Sequence, residues 1–152
     1  MENLEEKAKE IIEKIPYITI ASITPEGKPW NSPVYAVPDD KYNFIWNSSA
    51  ESQHSKNIRA NGNIFIVIYD STVLEGAGCG IYIEAEAKEL GGQELEDAIK
   101  VFYAKKNKTP VPTSEFLAPS LRRMYMAVPK KISINRFEKG RVPPDWKEEI
   151  KL

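Results

Sequence analysis

Cysteine and histidine are almost missing from this sequence: Cys79 and His54 are the only one of each in 152 residues. One cysteine excludes an intrachain disulfide, and one cysteine with one histidine cannot build a Cys/His zinc cage. No metal site is expected, so any prosthetic group should be organic. Long apolar runs are absent too. Nothing approaches the roughly 20 residues a membrane helix needs, and the opening Met1-Glu2-Asn3-Leu4-Glu5-Glu6-Lys7 is a charged helical pattern with no signal-peptide core. The expectation is a cytoplasmic protein with no membrane partner. An excess of positive charge is also lacking. With a net charge of -1 and the two signs intermixed, no long-range field gathers DNA or RNA.

What is present is enough apolar material for one core. At 41% hydrophobic and 28% charged residues, the chain reads as a single domain over residues 1–152. Residues 2–15 place Leu4, Ala8, Ile11, Ile12 and Ile15 on one helical face, and Pro16 ends the helix. Tyr17–Ile23 is a β-branched strand, and Thr24-Pro25-Glu26-Gly27 has the composition of a hairpin turn into Pro29–Val37. Pro33 cannot donate to a ladder, so it marks an edge, a bulge or the approach of something other than a strand. A turn at Pro38-Asp39-Asp40-Lys41 leads to a third strand, Tyr42–Asn47.

A short helix from Ser52 to Ala60 is expected next, with Asn61-Gly62 as a left-handed stop. Strands follow at Asn63–Tyr69 and Ile81–Leu90, separated by the Gly-rich loop Ser71–Gly80. A helix over Glu94–Lys105 and a helical turn near Thr113–Leu117 precede two last strands, Met124–Val128 and Ile132–Phe137. The tail, 138–152, is read as wrapping over the surface. Many short strands with few helices indicate a barrel or a sandwich.

The chemically informative stretch is Phe44-Ile45-Trp46-Asn47-Ser48-Ser49, then Ser52-Gln53-His54-Ser55-Lys56-Asn57-Ile58. The first N–H groups of a helix have no internal partner and sit at the positive end of its dipole, so a phosphate fits there. Ser49, Ser52, His54 and Lys56 would add donors and charge. The plainer reading makes Ser49 or Ser52 an N-cap and Lys56 and His54 solvated helix residues.

The order of these elements resembles the pyridoxamine 5'-phosphate oxidase-like family of FMN-binding split barrels. The resemblance runs from Tyr17 to about Ile134. It is most specific at Gly27-Lys28-Pro29-Trp30-Asn31-Ser32-Pro33-Val34, at Ile45-Trp46-Asn47-Ser48, and at Ser52-Gln53-His54-Ser55-Lys56-Asn57-Ile58. It implies a mainly β fold, a six-stranded antiparallel split β-barrel that pairs into a homodimer and holds flavin mononucleotide (FMN) at the interface. Carried over, Asn31, Ser32, Pro33 and Val34 face the flavin ring. Trp46, Asn47, Ser48 and Ser49 meet the ring edge and ribityl chain, and Ser52, His54 and Lys56 take the phosphate.

The sequence also departs from the family pattern. Ser32 and Val37 stand where true pyridoxamine phosphate oxidases carry an Arg and a Lys, and Ser52-Gln53-His54 replaces their Ser-Arg-Lys phosphate motif. Their C-terminal pattern is not legible in Asn135-Arg136-Phe137-Glu138-Lys139-Gly140-Arg141. Synthesis of pyridoxal phosphate is therefore not the expected activity.

The resemblance implies a flavin-dependent oxidoreductase of unknown redox substrate, and no residue stands out as a catalytic acid or base. The alternatives are the same fold binding deazaflavin or haem, a flavin carrier or sensor, and a dimeric interaction module. Cys79 reads as a small structural residue of the Gly-rich loop, with a redox thiol as the competing role. Arg122, Arg123 and Arg136 are candidates to reach a partner's cofactor phosphate, against the plainer reading of solvated arginines.

Overall fold

The computed structural model describes residues 3–152. Asn3 opens the first helix, α1 (Leu4–Lys14), its side-chain oxygen accepting the backbone N–H groups of Glu5 and Glu6. That satisfies donors which a helix start leaves orphaned. Of the span 2–15 read from the periodicity, Glu2 lies outside the described residues and Ile15 is the C-cap. The remaining elements are β1 (Tyr17–Ile23), β2 (Pro29–Pro38), β3 (Phe44–Ser49), α2 (Gln53–Ala60), β4 (Asn63–Tyr69), β5 (Gly80–Glu89) and α3 (Gly92–Lys105). A 3-10 turn (Thr113–Phe116), β6 (Arg122–Phe137) and β7 (Asp145–Ile150) complete the chain.

The sheet order is β3-β2-β1-β4-β5-β6-β7, and β3 also pairs with β6. Every pairing is antiparallel. The extra β3–β6 pairing closes β1 to β6 into a ring, removing edges that an open sheet of this size would expose. The six-stranded antiparallel barrel expected from the sequence is thus present. Two of its seams are short: β1 and β4 register only over Thr19–Ala21 against Phe65–Val67, and β2 and β3 only over Ala36–Pro38 against Phe44–Trp46.

Two expectations about the last third are corrected. Met124–Val128 and Ile132–Phe137 belong to one strand, β6, which runs through Pro129 on a bulge opposite Glu84 and Ala85 of β5. A bulge absorbs an extra residue without ending the ladder, so the proline and two lysines bend the strand and do not break it. The tail does not simply wrap over the surface: β7 extends the sheet along Ile132–Phe137.

Alternation sorts the side chains. Ile18, Ile20, Phe44, Trp46, Ile66 and Ile83 fill the barrel interior, joined by Ala8 and Ile12 of α1 and by Ile58 of α2. On the outside, Leu95, Ile99 and Phe102 of α3 cover Val37, Ile45 and Met124. β3 is therefore buried on both faces in its first half, with Phe44, Ile45 and Trp46 almost wholly shielded.

The stop at Asn61-Gly62 also works differently from the reading above. Asn61 is extended, at φ -152°, and α2 ends without a left-handed residue. Gly62 is required for another reason: a Cβ there would lie 2.5 Å from the carbonyl oxygen of Ala87.

Candidate functional site

β2 is paired along most of its length on one side only. It registers with β1 from Pro29 to Tyr35, but with β3 only from Ala36 to Pro38. Ala36 donates its N–H to the Pro16 carbonyl at 2.9 Å and Thr24 donates to Lys28 at 2.8 Å. Hydrogen-bonded and non-bonded pairs alternate in an antiparallel ladder, so the Thr19–Pro33 pair is a non-bonded one. The nitrogen of Pro33 consequently points away from β1, at the free side. The edge reading of Pro33 is the one the ladder supports.

The strand pleat divides the eight strand residues singled out in the sequence. Val34 and Trp46 belong to the barrel core, so Ser32 and Ser48 share their side of the sheet, while Asn31, Pro33, Asn47 and Ser49 lie on the other. Trp30 donates its indole N–H to Ser32 Oγ at 2.9 Å. Trp46 is buried, with its backbone registered to Ala36 on one side and Tyr125 on the other. Its Nε1 has no hydrogen-bond partner.

The tightest gathering lies at the start of α2. Ser52 is the N-cap residue, yet its side chain makes no capping bond to the helix N–H groups. Its hydroxyl instead lies 2.9 Å from the Ser49 carbonyl, 2.8 Å from Ser55 Oγ and 3.2 Å from His54 Nε2. The same nitrogen is 2.8 Å from Ser48 Oγ. Ser48, Ser52 and His54 thus form one cluster, with the first-turn N–H groups left for another acceptor. Burial pushes the His54 imidazole below its ordinary value of 6.5. Lys56 stands apart, exposed and paired with Glu51 at 3.1 Å.

Residues that the sequence reading passed over hold α2 in place. Asn57, fully buried, donates to Ser22 Oγ of β1 at 3.0 Å and accepts from Gln53 at 2.8 Å. Arg59 donates to the Ala50 carbonyl at 2.7 Å and pairs with Glu89 of β5 at 3.3 Å. Glu89 also meets Arg123 at 3.2 Å and Tyr125 OH at 3.3 Å. Burial is the chief cause that raises the Tyr125 phenol above its ordinary pKa. A helical i, i+4 spacing relates Gln53 to Asn57, but no short-range pattern links Glu89 to Arg59.

Of the three arginines considered, Arg123 is spent on Glu89 and the Ser120 and Arg122 carbonyls. Arg122 lies over the Phe116 ring at 4.6 Å and beside Glu115 at 3.6 Å. Arg136 pairs with Glu148 at 3.7 Å. Cys79 is half-buried, with Sγ 3.9 Å from the Asn135 carbonyl. Among the described residues no group of three His, Cys, Asp or Glu side chains could hold a metal ion, and no helix is long and apolar enough to cross a membrane.

Comparison with known proteins gives the same frame. The fold is similar to a 5-nitroimidazole antibiotic resistance protein described as putative, from Bacteroides thetaiotaomicron. That match has a TM-score of 0.69 and 12% identity, covering 88% of this chain and 84% of that one. It is also similar to HutZ, the heme storage protein of Vibrio cholerae, with a TM-score of 0.69 and 16% identity over 86% of this chain and 94% of that one. A heme binding protein from Mycobacterium smegmatis matches at a TM-score of 0.70 and 18% identity over 98% of this chain, which spans 59% of that protein's chain. No curated protein matches the sequence. Residues 4–125 match the sequence profile described as pyridoxamine 5'-phosphate oxidase, and with that span covering α1 through the barrel closure at Tyr125, the chain belongs to the pyridoxamine 5'-phosphate oxidase family.

Proposed function

We propose that this protein is an FMN-binding flavoprotein that works as a homodimer, with the cofactor's phosphate at the start of α2. The observation that carries the reading is the uncapped N-terminus of α2, flanked by the Ser48, Ser52 and His54 side chains. A dianion there meets free N–H groups, the positive end of the helix dipole and three polar side chains. Lys56 adds charge from the exposed face once it exchanges Glu51 for the phosphate. Asn31 and Pro33 on the free edge of β2, with Asn47 and Ser49 on the same face, offer the surface for the ring and ribityl chain. Ser32, Val34 and Trp46 back that surface from the interior side.

FMN supplies hydride or electron transfer when bound. This chain's residues then bind and orient, and none is assigned as an acid or base. The reading is an oxidoreductase of unassigned substrate. A second reading, heme binding, is favoured by the two fold neighbours that bind or store heme. The only histidine argues for FMN first, because its Nε2 is already engaged by two serine hydroxyls.

Absorption spectra of the purified chain, alone and titrated with FMN, riboflavin and hemin, separate the readings. The expected result is stoichiometric FMN binding. A hydrogen bond to a charged group is worth roughly 1.5–3 kcal/mol, so His54→Ala should weaken FMN about ten- to a hundredfold. Lys56→Ala should act in the same direction, and riboflavin, lacking the phosphate, should be nearly unaffected by either. A Soret band with hemin and no response to FMN would replace this reading with the second.

A further inference from the structure

The turn that leads into α2 is tied to the last turn of the same helix. Arg59 donates one guanidinium N–H to the Ala50 carbonyl at 2.7 Å and sets another nitrogen 3.3 Å from the Glu89 carboxylate of β5. Ala50 is buried, and its own N–H donates to the Leu121 carbonyl, just ahead of β6, at 2.7 Å. Both backbone groups of this one residue are therefore fixed. Ala50 sits inside the turn Ser49–Ser52, which closes where the Ser49 carbonyl accepts the Ser52 N–H at 3.1 Å. The Ser52 carbonyl then accepts a helical bond from Lys56 N–H at 3.1 Å. What holds the Ala50 carbonyl thus holds the turn that aims the start of α2.

We infer that Arg59 is a positioning residue for the phosphate site: oriented by Glu89, it holds the Ser49–Ser52 turn so that the first-turn N–H groups of α2 face the phosphate. A guanidinium suits this task. Its rigid planar fork presents donors to a carbonyl and a carboxylate at once, whereas a lysine ammonium is a compact charge on a flexible stem. The charge of Arg59 is not the working part. Its side chain is 40% exposed and Glu89 lies against it, so it attracts a distant phosphate only weakly. The bond to Ala50 acts differently, because a buried carbonyl that loses its donor must find water or give up its place. The phosphate's position rests on the cofactor reading above; the ordering of the turn by Arg59 does not.

Two conservative variants separate position from charge. Arg59→Lys keeps the positive charge and loses the fork, and Glu89→Gln keeps Arg59 but removes the carboxylate that orients it. If Arg59 worked by charge, Arg59→Lys would bind FMN as before, and Glu89→Gln, with one negative charge fewer, would bind it more tightly. A positioning role requires the reverse. Each variant should weaken FMN about tenfold, the effect of one bond to a charged group, and leave riboflavin within about twofold. Amide exchange of the ligand-free full chain, followed by NMR, reads the turn without any cofactor. The Ala50 and Ser52 N–H groups should exchange about tenfold faster in both variants, while the β4 amides keep their rates and show the barrel intact. Glu86→Gln changes a carboxylate on the same strand that pairs with Lys130 at 2.9 Å, and it should alter neither readout. Unchanged exchange at Ala50 and Ser52 in both variants overturns the role of Arg59. So does tighter FMN binding by Glu89→Gln, or an equal loss of FMN and riboflavin. An unmodified chain that ignores FMN, with faster exchange still seen in the variants, defeats the cofactor reading and leaves Arg59 as the residue that orders the turn.

Discussion

Trp46 and Tyr125 face each other across the seam that closes the barrel. They are register partners in the β3–β6 pairing, and their rings stack with centroids 5.7 Å apart and planes 18° from parallel. The stack links closure of the sheet to the residues that hold α2, because the same phenol reaches Glu89, which pairs with Arg59 of that helix.

Truncating this stack should be costly. Trp46→Ala leaves a cavity at a fully buried position, and such changes cost about 3–5 kcal/mol. Tyr125→Phe keeps the ring and should cost much less. Urea melts of the three chains measure this, and a Trp46→Ala loss below about 1 kcal/mol would show that the seam is held elsewhere.

Gly62→Ala should destabilise the barrel by about 1–3 kcal/mol through overpacking. The new Cβ would sit 2.5 Å from the Ala87 carbonyl oxygen, in a backbone already tied to Gly62 by a 2.7 Å hydrogen bond from Ala87 N–H. Backbone on both sides leaves no flexible side chain to yield. Thermal denaturation decides it, and an unchanged midpoint would mean that α2 and β5 can move apart freely.

His54 should make stability fall on the acid side. Its folded pKa lies below the ordinary 6.5 because burial disfavours the charged ring. Between those two values the unfolded chain binds more protons than the folded one, so stability rises with pH. The contribution is complete above 6.5 and is lost as pH falls through the folded value. Denaturant melts of the unmodified chain and His54→Gln across this window should diverge in slope. Parallel curves would show that the imidazole is not the group responsible.

Light scattering at micromolar concentration should report a dimer. The unpaired side of β2 from Pro29 to Tyr35 and the exposed Trp30 and Ile23 leave an apolar border that one chain does not cover, and symmetric pairing is the common solution for such surfaces. A monomer that still bound FMN tightly would end the shared-site model.

Much of this was legible in the chain itself. The β-branched run Tyr17–Ile23 and the strongly apolar run Asn63–Tyr69 stand in the structure with those bounds, because each is a short β-branched or apolar segment set between strong turn or helix-stop signals. The bulged run through Pro129 was read as two strands because a local pattern treats proline as an end. The charged hairpin strand Asp145–Ile150 escaped because its pairing with β6, not its composition, makes it a strand.

The local sequence determined the strand–loop–helix order and the serines and histidine at the start of α2, since caps, turns and periodicity act over a few residues. Only the tertiary structure decided which of those groups meet. The pleat sends Val34 and Trp46 inward with Ser48, and closure of β3 on β6 brings Tyr125 to Trp46. Glu89, at the end of β5, reaches Arg59, Arg123 and Tyr125 only because the ring is shut. Contacts between residues far apart in sequence depend on sheet register, and register is fixed by the whole set of buried faces, which no single segment contains.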